Sequence, residues 1–80
     1  MVISAQVSIY PLRQQHLSPA IRAVSKALEE CGLHPEVGSM STVVVGEEEI
    51  VFGALREAFV AAAATGHVVM TVTISNACPV

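Results

Sequence analysis

Charged residues are scarce in this sequence, and the basic ones form no cluster. Charged side chains make up 14% of the 80 residues, with 4 basic and 7 acidic residues and a formal net charge of -3. Proteins that follow a phosphate backbone carry clustered lysine and arginine. We therefore expect no binding to nucleic acid.

Cysteine and long apolar runs are scarce as well. Cys31 and Cys78 are too few for a disulfide scaffold and too far apart for a C-x-x-C site. No stretch approaches the roughly 18 apolar residues that span a bilayer, and the N-terminus lacks a basic segment followed by an apolar run. These absences predict a cytoplasmic protein without a membrane partner.

Residue types typical of catalytic or metal sites are few and scattered. His16, His34 and His67 lie in three separate segments, and their spacing does not suit a metal ion. No base is placed to activate either cysteine as a nucleophile. We expect no metal, no cofactor and no catalytic residue.

Apolar residues, in contrast, are abundant and make up 52% of the chain. The length suits one domain, residues 1–80, and a domain of this size buries only about two-thirds of the surface that its unfolded chain exposes. A monomer with so small an interior would leave much apolar surface in water. We therefore expect a homo-oligomer.

The first predicted strand, Val2 to Tyr10, is apolar on one face and polar but uncharged on the other, because side chains alternate along a strand. One face carries Ile3, Ala5, Val7 and Ile9, and the other carries Ser4, Gln6, Ser8 and Tyr10. An ordinary solvent-exposed face would carry lysine and glutamate. The uncharged face predicts a surface that a partner covers or that offers hydrogen bonds to a neutral ligand.

Two amphipathic helices are predicted from capping residues and apolar spacing. The first begins at Ser18-Pro19, where serine caps the helix and proline suits its first turn, and it ends at Gly32. The second begins after Gly46 at three glutamates that suit the positive end of a helix dipole, and it runs to about Thr65. The residues expected to be buried are Ile21, Val24, Leu28 and Cys31 in the first helix and Ile50, Leu55, Ala58, Phe59 and Ala62 in the second.

Three more strands are predicted. His34 to Gly38 and Met40 to Val45 form two short strands with a turn near Gly38-Ser39, and His67 to Ser75 forms the last. The last strand alternates as the first does. Its polar face includes Thr71, Thr73 and Ser75.

The resulting order, β-α-β-β-α-β, predicts an α+β fold. We expect a ferredoxin-like sandwich in which an antiparallel four-stranded sheet carries two helices on one face. Right-handed crossovers place the first and third strands in the centre and the last strand beside the first. The uncharged polar faces of the first and last strands then form one patch on the helix-free side. Its predicted members are Gln6, Ser8, Tyr10, Thr71, Thr73 and Ser75.

Positions on the two middle strands complete the set of candidate ligand-binding residues. Glu36 is the one acid whose strand placement brings it near the open side, where a carboxylate suits a ring nitrogen or a cationic ring. The alternation of the third strand is ambiguous. Either Ser41 or Thr42 therefore faces the ligand side.

Four strings follow one another along nearly the whole chain. They are Ser8-Ile-Tyr-Pro-Leu12, Ser41-Thr-Val-Val-Val-Gly46, Val51-Phe52 with the alanine-rich helix after it, and His67-Val-Val-Met-Thr-Val-Thr-Ile-Ser75 followed by Cys78-Pro79. In this order and spacing they resemble the YkoF-like thiamine/hydroxymethylpyrimidine-binding protein family, in its single-domain branch. None of the strings is a catalytic signature.

This resemblance implies a ferredoxin-like domain that binds thiamine or its hydroxymethylpyrimidine moiety without transforming it, in uptake or salvage of the vitamin. We expect the ligand on the open face of the sheet, at a subunit interface. Single-domain members of the family are expected to assemble from separate subunits as dimers or tetramers. The positions that match the family's motifs, and that the resemblance implies as ligand-binding, are Ser8, Tyr10, Ser41, Thr42, Thr73 and Ser75.

Two other classes of function stay open at this point. A small dimeric ferredoxin-like enzyme, such as a cofactor-free oxygenase or isomerase, also uses the open face of its sheet as a pocket. Against it, no histidine or acid except Glu36 falls within the predicted patch. An amino-acid-sensing module that resembles ACT domains usually accompanies an enzyme domain, and none is present in these 80 residues.

Overall fold

A computed structural model describes residues 1–13, 16, 18–38 and 40–77. Within these ranges the elements follow the predicted order. They are β1 (Val2–Pro11), α1 (Ser18–Glu30), β2 (Glu36–Val37), β3 (Thr42–Glu47), α2 (Glu48–Ala63) and β4 (Val68–Ser75). Ser39 of the predicted turn, and Cys78 and Pro79 after the last strand, lie outside the described residues.

The strands of the described ranges form one antiparallel sheet in the order β2-β3-β1-β4. β1 and β3 are therefore central, and β4 lies beside β1, as right-handed crossovers predict. α1 and α2 pack against each other and against the sheet. The ferredoxin-like α+β fold is confirmed.

The core lies between the helices and one face of the sheet. Its buried members are Ile3, Ala5 and Val7 of β1, Val44 of β3, Ala20, Val24, Ala27 and Leu28 of α1, Leu33, and Val51, Ala54, Leu55, Ala58 and Ala62 of α2. Full burial of a valine or leucine side chain contributes about 1.5–3 kcal/mol. Neither α1 nor α2, the helices of the described part, has the length and apolar character needed to cross a membrane.

α1 ends in a Schellman motif that directs the chain toward β2. Gly32 has a φ of +86°, a left-handed conformation that glycine adopts without a clash from Cβ. The N–H of Gly32 donates to the carbonyl oxygen of Glu29 at 2.9 Å. The N–H of Leu33 donates to the carbonyl oxygen of Leu28 at 3.1 Å. Leu33 is buried in the core. The predicted helix end at Gly32 is confirmed.

The buried face of α2 differs from the prediction. Ile50 and Phe59 were expected in the core, yet 48% and 42% of their surfaces are exposed, while Val51 and Ala54 are fully buried. Residues 50–55 are apolar or glycine at every position, so apolar spacing there does not decide which side faces inward. The buried side carries a row of alanines, which lets α2 lie close to its neighbours.

The two middle strands also have different bounds from those predicted. β2 contains only two residues and begins just after Pro35, which has no N–H to donate to a strand ladder. β3 begins at Thr42 and extends beyond the expected end, because Gly46 and Glu47 continue the pairing with β1.

The glutamates that follow Gly46 lie at the start of α2, as predicted. Glu48 and Glu49 occupy the first turn, where negative charge favours the positive end of the helix dipole. Glu47 Oε2 lies 3.0 Å from the N-terminal amine of Met1. This hydrogen bond, together with the charge of Glu47, raises the pKa of the amine.

Candidate functional site

The helix-free face of the sheet, here called the open face, carries most of the candidate residues. Residues paired directly across neighbouring strands share a face. Gln6 pairs with Thr73 on one side and with Val43 on the other, and Val43 pairs with Glu36. The candidates on the open face are Gln6, Ser8, Tyr10, Glu36, Ser41, Thr71, Thr73 and Ser75.

Two hydrogen bonds connect the open face of β1 to the segment before β3. Gln6 Nε2 donates to Ser41 Oγ at 3.1 Å, and Ser8 Oγ donates to the carbonyl oxygen of Met40 at 3.3 Å. The first of these bonds places Ser41 on the open face. The ambiguity between Ser41 and Thr42 is thereby resolved in favour of Ser41.

Thr42 lies on the other side of the sheet, toward the helices. It pairs with Val7 of β1 and with Val37 of β2, and only 6% of its surface is exposed. A residue that precedes or follows it in the strand points the opposite way. Thr42 is therefore separated from the polar patch by the sheet itself.

Glu36 is on the open face but lies at its far edge. Glu36, Val43 and Gln6 form one row across three strands. Neighbouring strands lie about 4.8 Å apart, so the backbones of Glu36 and Gln6 are separated by about 10 Å. The carboxylate is exposed to solvent, and the side chain of Val43 stands between it and the polar residues of β1.

The open face is not uniformly polar. Val45 and Val69 are exposed on it, between the polar positions. Ser4 lies between Val45 and Ser75 in the register, and only 2% of its surface is exposed. Its Oγ is buried and, among the described residues, has no hydrogen-bond partner.

A cavity of about 220 Å³ lies at one end of the sheet, between α1 and the hairpin of β2 and β3. Its apolar lining consists of Val7 and Ile9 of β1, Ile21 and Val24 of α1, Val37 of β2 and Met40. Tyr10, Ser41 and Thr42, which carry hydroxyl groups, and Gly38 complete the lining. None of these described residues carries a charge.

The cavity and the polar patch meet at two residues. Tyr10 and Ser41 both lie on the open face and line the cavity. Thr42 lines the cavity from the helix-facing side. The cavity therefore borders the open face at Tyr10 and Ser41.

Sequence reasoning missed the apolar half of this cavity. Ile21 and Val24 were assigned to the core, and no role was given to Val37 or Met40. Both of the latter are exposed, Met40 to 83% of its surface. Val37 and Met40, two apolar residues on either side of the predicted Gly38-Ser39 turn, are the sequence feature that indicates this site.

Another depression in the described part of the surface is a weaker candidate for a binding site. A more open depression of about 390 Å³ lies at the C-terminal end of α1, lined by Glu29, Gly32, Leu33, His34 and Pro35. No candidate residue belongs to it. Within residues 1–13, 16, 18–38 and 40–77, no three histidine, cysteine, aspartate or glutamate side chains come close enough to hold a metal ion together.

The family model described as the YKOF-related family matches residues 2–80. The chain belongs to this family. The match covers every strand and helix of the fold and the whole lining of the cavity, and it confirms the resemblance that the sequence strings carry. No curated relative matches the sequence at a significant level.

Solved structures share the fold of this YKOF-related chain. A hypothetical protein from Methanocaldococcus jannascii has a TM-score of 0.85 at 23% identity, over 99% of this chain and 84% of that one. A protein from Streptococcus pneumoniae has a TM-score of 0.85 at 26% identity, over 94% and 86%. A Thermotoga maritima protein, provisionally assigned to thiamine biosynthesis or salvage, has a TM-score of 0.82 at 19% identity, over 94% and 83%.

Proposed function

We propose that this protein binds thiamine or its hydroxymethylpyrimidine moiety, without transforming it, in uptake or salvage of the vitamin. Membership of the YKOF-related family supports the proposal, as does the shared fold with the Thermotoga maritima protein assigned provisionally to thiamine biosynthesis or salvage. The observation that carries it is the uncharged cavity, lined by apolar residues and by three residues that carry hydroxyl groups.

The size of the cavity favours one ring of the ligand. Pockets that bury a drug-sized ligand have volumes of about 300–1,000 Å³, and this cavity has about 220 Å³. An aminopyrimidine is flat, neutral and rich in donors and acceptors. Thr42, on the helix-facing side, carries a hydroxyl that can donate and accept, and Tyr10 and Ser41 carry hydroxyls at the border between the cavity and the open face. We therefore assign the pyrimidine ring to the cavity.

The thiazolium ring of thiamine is cationic and, in this proposal, lies on the open face. Glu36 is exposed there and is adjacent in the chain to Val37, which lines the cavity. The net charge of -3 also favours a cation over an anion. Gln6 and Ser8 supply further polar groups on the same face. Affinity thus resides mainly in the pyrimidine half.

The non-enzymatic part of the proposal rests on the chemistry of the lining. A cofactor-free oxygenase or isomerase needs a general base within hydrogen-bond reach of its substrate. Among the described lining residues, Tyr10 is the one titratable side chain. A binding site for a neutral ring needs no such base.

Calorimetric titration with hydroxymethylpyrimidine and with thiamine tests the proposal. Thr42→Val removes one hydroxyl from the cavity and nearly preserves the shape of the side chain. Thr73→Val makes the same change on the open face of β4. A lost hydrogen bond is worth about 0.5–1.5 kcal/mol, so Thr42→Val should weaken both ligands by roughly 3–10-fold.

The matched variant separates the possible outcomes. Thr73→Val should bind hydroxymethylpyrimidine as the unmodified protein does, because Thr73 does not line the cavity. Weakening by Thr73→Val but not by Thr42→Val would move the site to the open face. If the unmodified protein binds neither pyrimidine compound and is saturated by an amino acid, the proposed function is wrong.

A further inference from the structure

The hydrogen bonds of Ser41 leave the proton of its hydroxyl unused. The backbone carbonyl oxygen of Ser41 accepts from the N–H of Gly38 at 2.8 Å, and its Oγ accepts from Gln6 Nε2 at 3.1 Å. A serine hydroxyl has one O–H donor besides its two lone pairs. Across residues 1–13, 16, 18–38 and 40–77, no acceptor takes up this proton. The Ser41 hydroxyl is therefore available as a donor to a ligand.

The bond from Gln6 determines the direction of that donor. A hydroxyl group rotates to suit its neighbours, and the Ser41 lone pair that accepts from Gln6 Nε2 lies on the side of Gln6. The O–H bond must then point away from Gln6, because one oxygen does not donate along the direction in which it accepts. If Ser41 donated to Gln6 Oε1 instead, no proton would remain for a ligand.

The backbone on both sides of Ser41 is held in place. Before it, the carbonyl oxygen of Met40 accepts from Ser8 Oγ at 3.3 Å. After it, Thr42 pairs with Val7 in the sheet, and only 6% of its surface is exposed. A donor on a fixed backbone loses little conformational freedom when a ligand binds. Ser41 is thus a preorganised hydrogen-bond donor.

Gln6 itself lies outside the cavity. The lining residues that β1 contributes are Val7, Ile9 and Tyr10. Gln6 is exposed on the open face, where it pairs with Val43 of β3. A ring in the cavity is therefore bordered by Ser41 and not by Gln6.

We propose that Ser41 donates a hydrogen bond to a ring nitrogen of the pyrimidine and that Gln6 is a positioning residue, which acts on the ligand through Ser41. The inference rests on the proposed function, since it assumes the pyrimidine in the cavity. A pyrimidine nitrogen is an acceptor and needs a donor. Among Tyr10, Ser41 and Thr42, Ser41 is the residue whose side chain already has a hydrogen bond within the described ranges.

Two substitutions of Gln6 separate this role from a structural one. In Gln6→Lys an ammonium group still donates toward Ser41 Oγ, whereas in Gln6→Glu a carboxylate only accepts and takes the Ser41 proton. Hydroxymethylpyrimidine is neutral, so calorimetry should show its affinity falling roughly 3–10-fold in Gln6→Glu and less than about 2-fold in Gln6→Lys. A purely structural role would weaken binding equally in both variants.

A double variant tests whether Gln6 acts through Ser41. Ser41→Ala removes the donor and should weaken hydroxymethylpyrimidine roughly 3–10-fold. Substitutions within one hydrogen-bond network are not additive, so adding Gln6→Glu to Ser41→Ala should weaken binding by less than about a further 2-fold. Thr73→Glu is the matched control, because it adds the same charge at the position paired with Gln6. It should bind as the unmodified protein does.

The outcomes are distinct. Equal weakening in Gln6→Glu and Gln6→Lys, additive losses in the double variant, or equal weakening in the control would overturn the positioning role. Full affinity in Ser41→Ala would overturn the donor. In all of these cases the unmodified protein still binds and the proposed function stands. If the unmodified protein binds neither hydroxymethylpyrimidine nor thiamine, the proposed function is wrong and this inference is wrong with it.

The side-chain amide resonances of Gln6 provide a measurement that needs no ligand. In the ¹⁵N-labelled protein, Ser41→Ala should shift these resonances, because it removes the acceptor of Nε2. Ser75→Ala removes a hydroxyl from the same face, where Ser75 Oγ accepts from the N–H of Ala77 instead, and should leave them in place. Gln6 resonances that are unchanged in Ser41→Ala would contradict the proposal.

Discussion

Among single residues, Ser4 differs most clearly from the usual pattern, in which buried polar groups have hydrogen-bond partners. Its Oγ is buried on the open face and has no hydrogen-bond partner in the described residues. An unsatisfied buried hydroxyl costs about 1–3 kcal/mol. Ser4→Ala removes that group and should raise the free energy of unfolding by about 1 kcal/mol, as measured by urea denaturation.

Ser8→Ala is the control for this prediction, because Ser8 lies on the same face and its Oγ donates to Met40. Loss of an exposed hydrogen bond of this kind should lower the free energy of unfolding by at most about 1 kcal/mol. The two substitutions should therefore change stability in opposite directions. A loss of stability in Ser4→Ala shows that its hydroxyl is satisfied in solution.

Glu36 allows the two halves of the proposed ligand to be separated. Glu36→Gln removes the exposed charge assigned to the thiazolium ring. An exposed ion pair is worth about 0.2–1 kcal/mol, so thiamine affinity should fall roughly 1.5–5-fold while hydroxymethylpyrimidine affinity stays the same. Equal weakening of both ligands in calorimetry contradicts the assignment of the charge to one ring.

The side of the sheet that a residue faces could be predicted only where apolar and polar residues alternate along the strand. β1 alternates strictly, so Gln6, Ser8 and Tyr10 were placed correctly on the open face. β3 contains Thr42-Val-Val-Val45, which is β-branched throughout, and its facing is decided by the register with β1 rather than by its own pattern. For that reason Thr42 entered the candidate set although it lies on the helix side.

At the scale of elements, two glycines illustrate how the surroundings decide the effect of one methyl group. A Cβ on Gly46 would lie 2.8 Å from Cδ2 of the buried Leu33, so Gly46→Ala should lower the free energy of unfolding by about 1–2 kcal/mol. A Cβ on Gly53 meets no atom within 4 Å, and this glycine lies in an exposed position of α2. Gly53→Ala should therefore stabilise the protein by roughly 0.5–1 kcal/mol. Thermal denaturation of both variants checks the opposite signs, and equal shifts would contradict this account.

How well the buried face of each element could be predicted depended on its polar residues. β4 alternates between apolar and hydroxyl-bearing residues, and its inner face was predicted correctly. α2 has few polar residues to mark its solvent side, so Ile50 and Phe59 were misplaced.

At the scale of the whole molecule, the fold was predictable and the cavity was not. The order of elements and the right-handed crossovers together determine the sheet order β2-β3-β1-β4. The cavity depends on the short length of β2 and on the distance between α1 and the hairpin of β2 and β3. A residue pattern gives neither quantity. Tyr10, Ser41 and Thr42 were nevertheless among the candidates, because Tyr10 lies on the uncharged face of β1 and all three match the family's motifs.

The central claim, a pyrimidine ring bound in the cavity between α1 and the hairpin, is tested most directly by nuclear magnetic resonance. Hydroxymethylpyrimidine is titrated into the ¹⁵N-labelled protein, and the shift of each backbone amide is followed. The account predicts saturable shifts at Val37, Gly38, Ser41 and Thr42, with little change at Val45 and Ser75. An absence of saturable shifts, or shifts confined to β4, would contradict it.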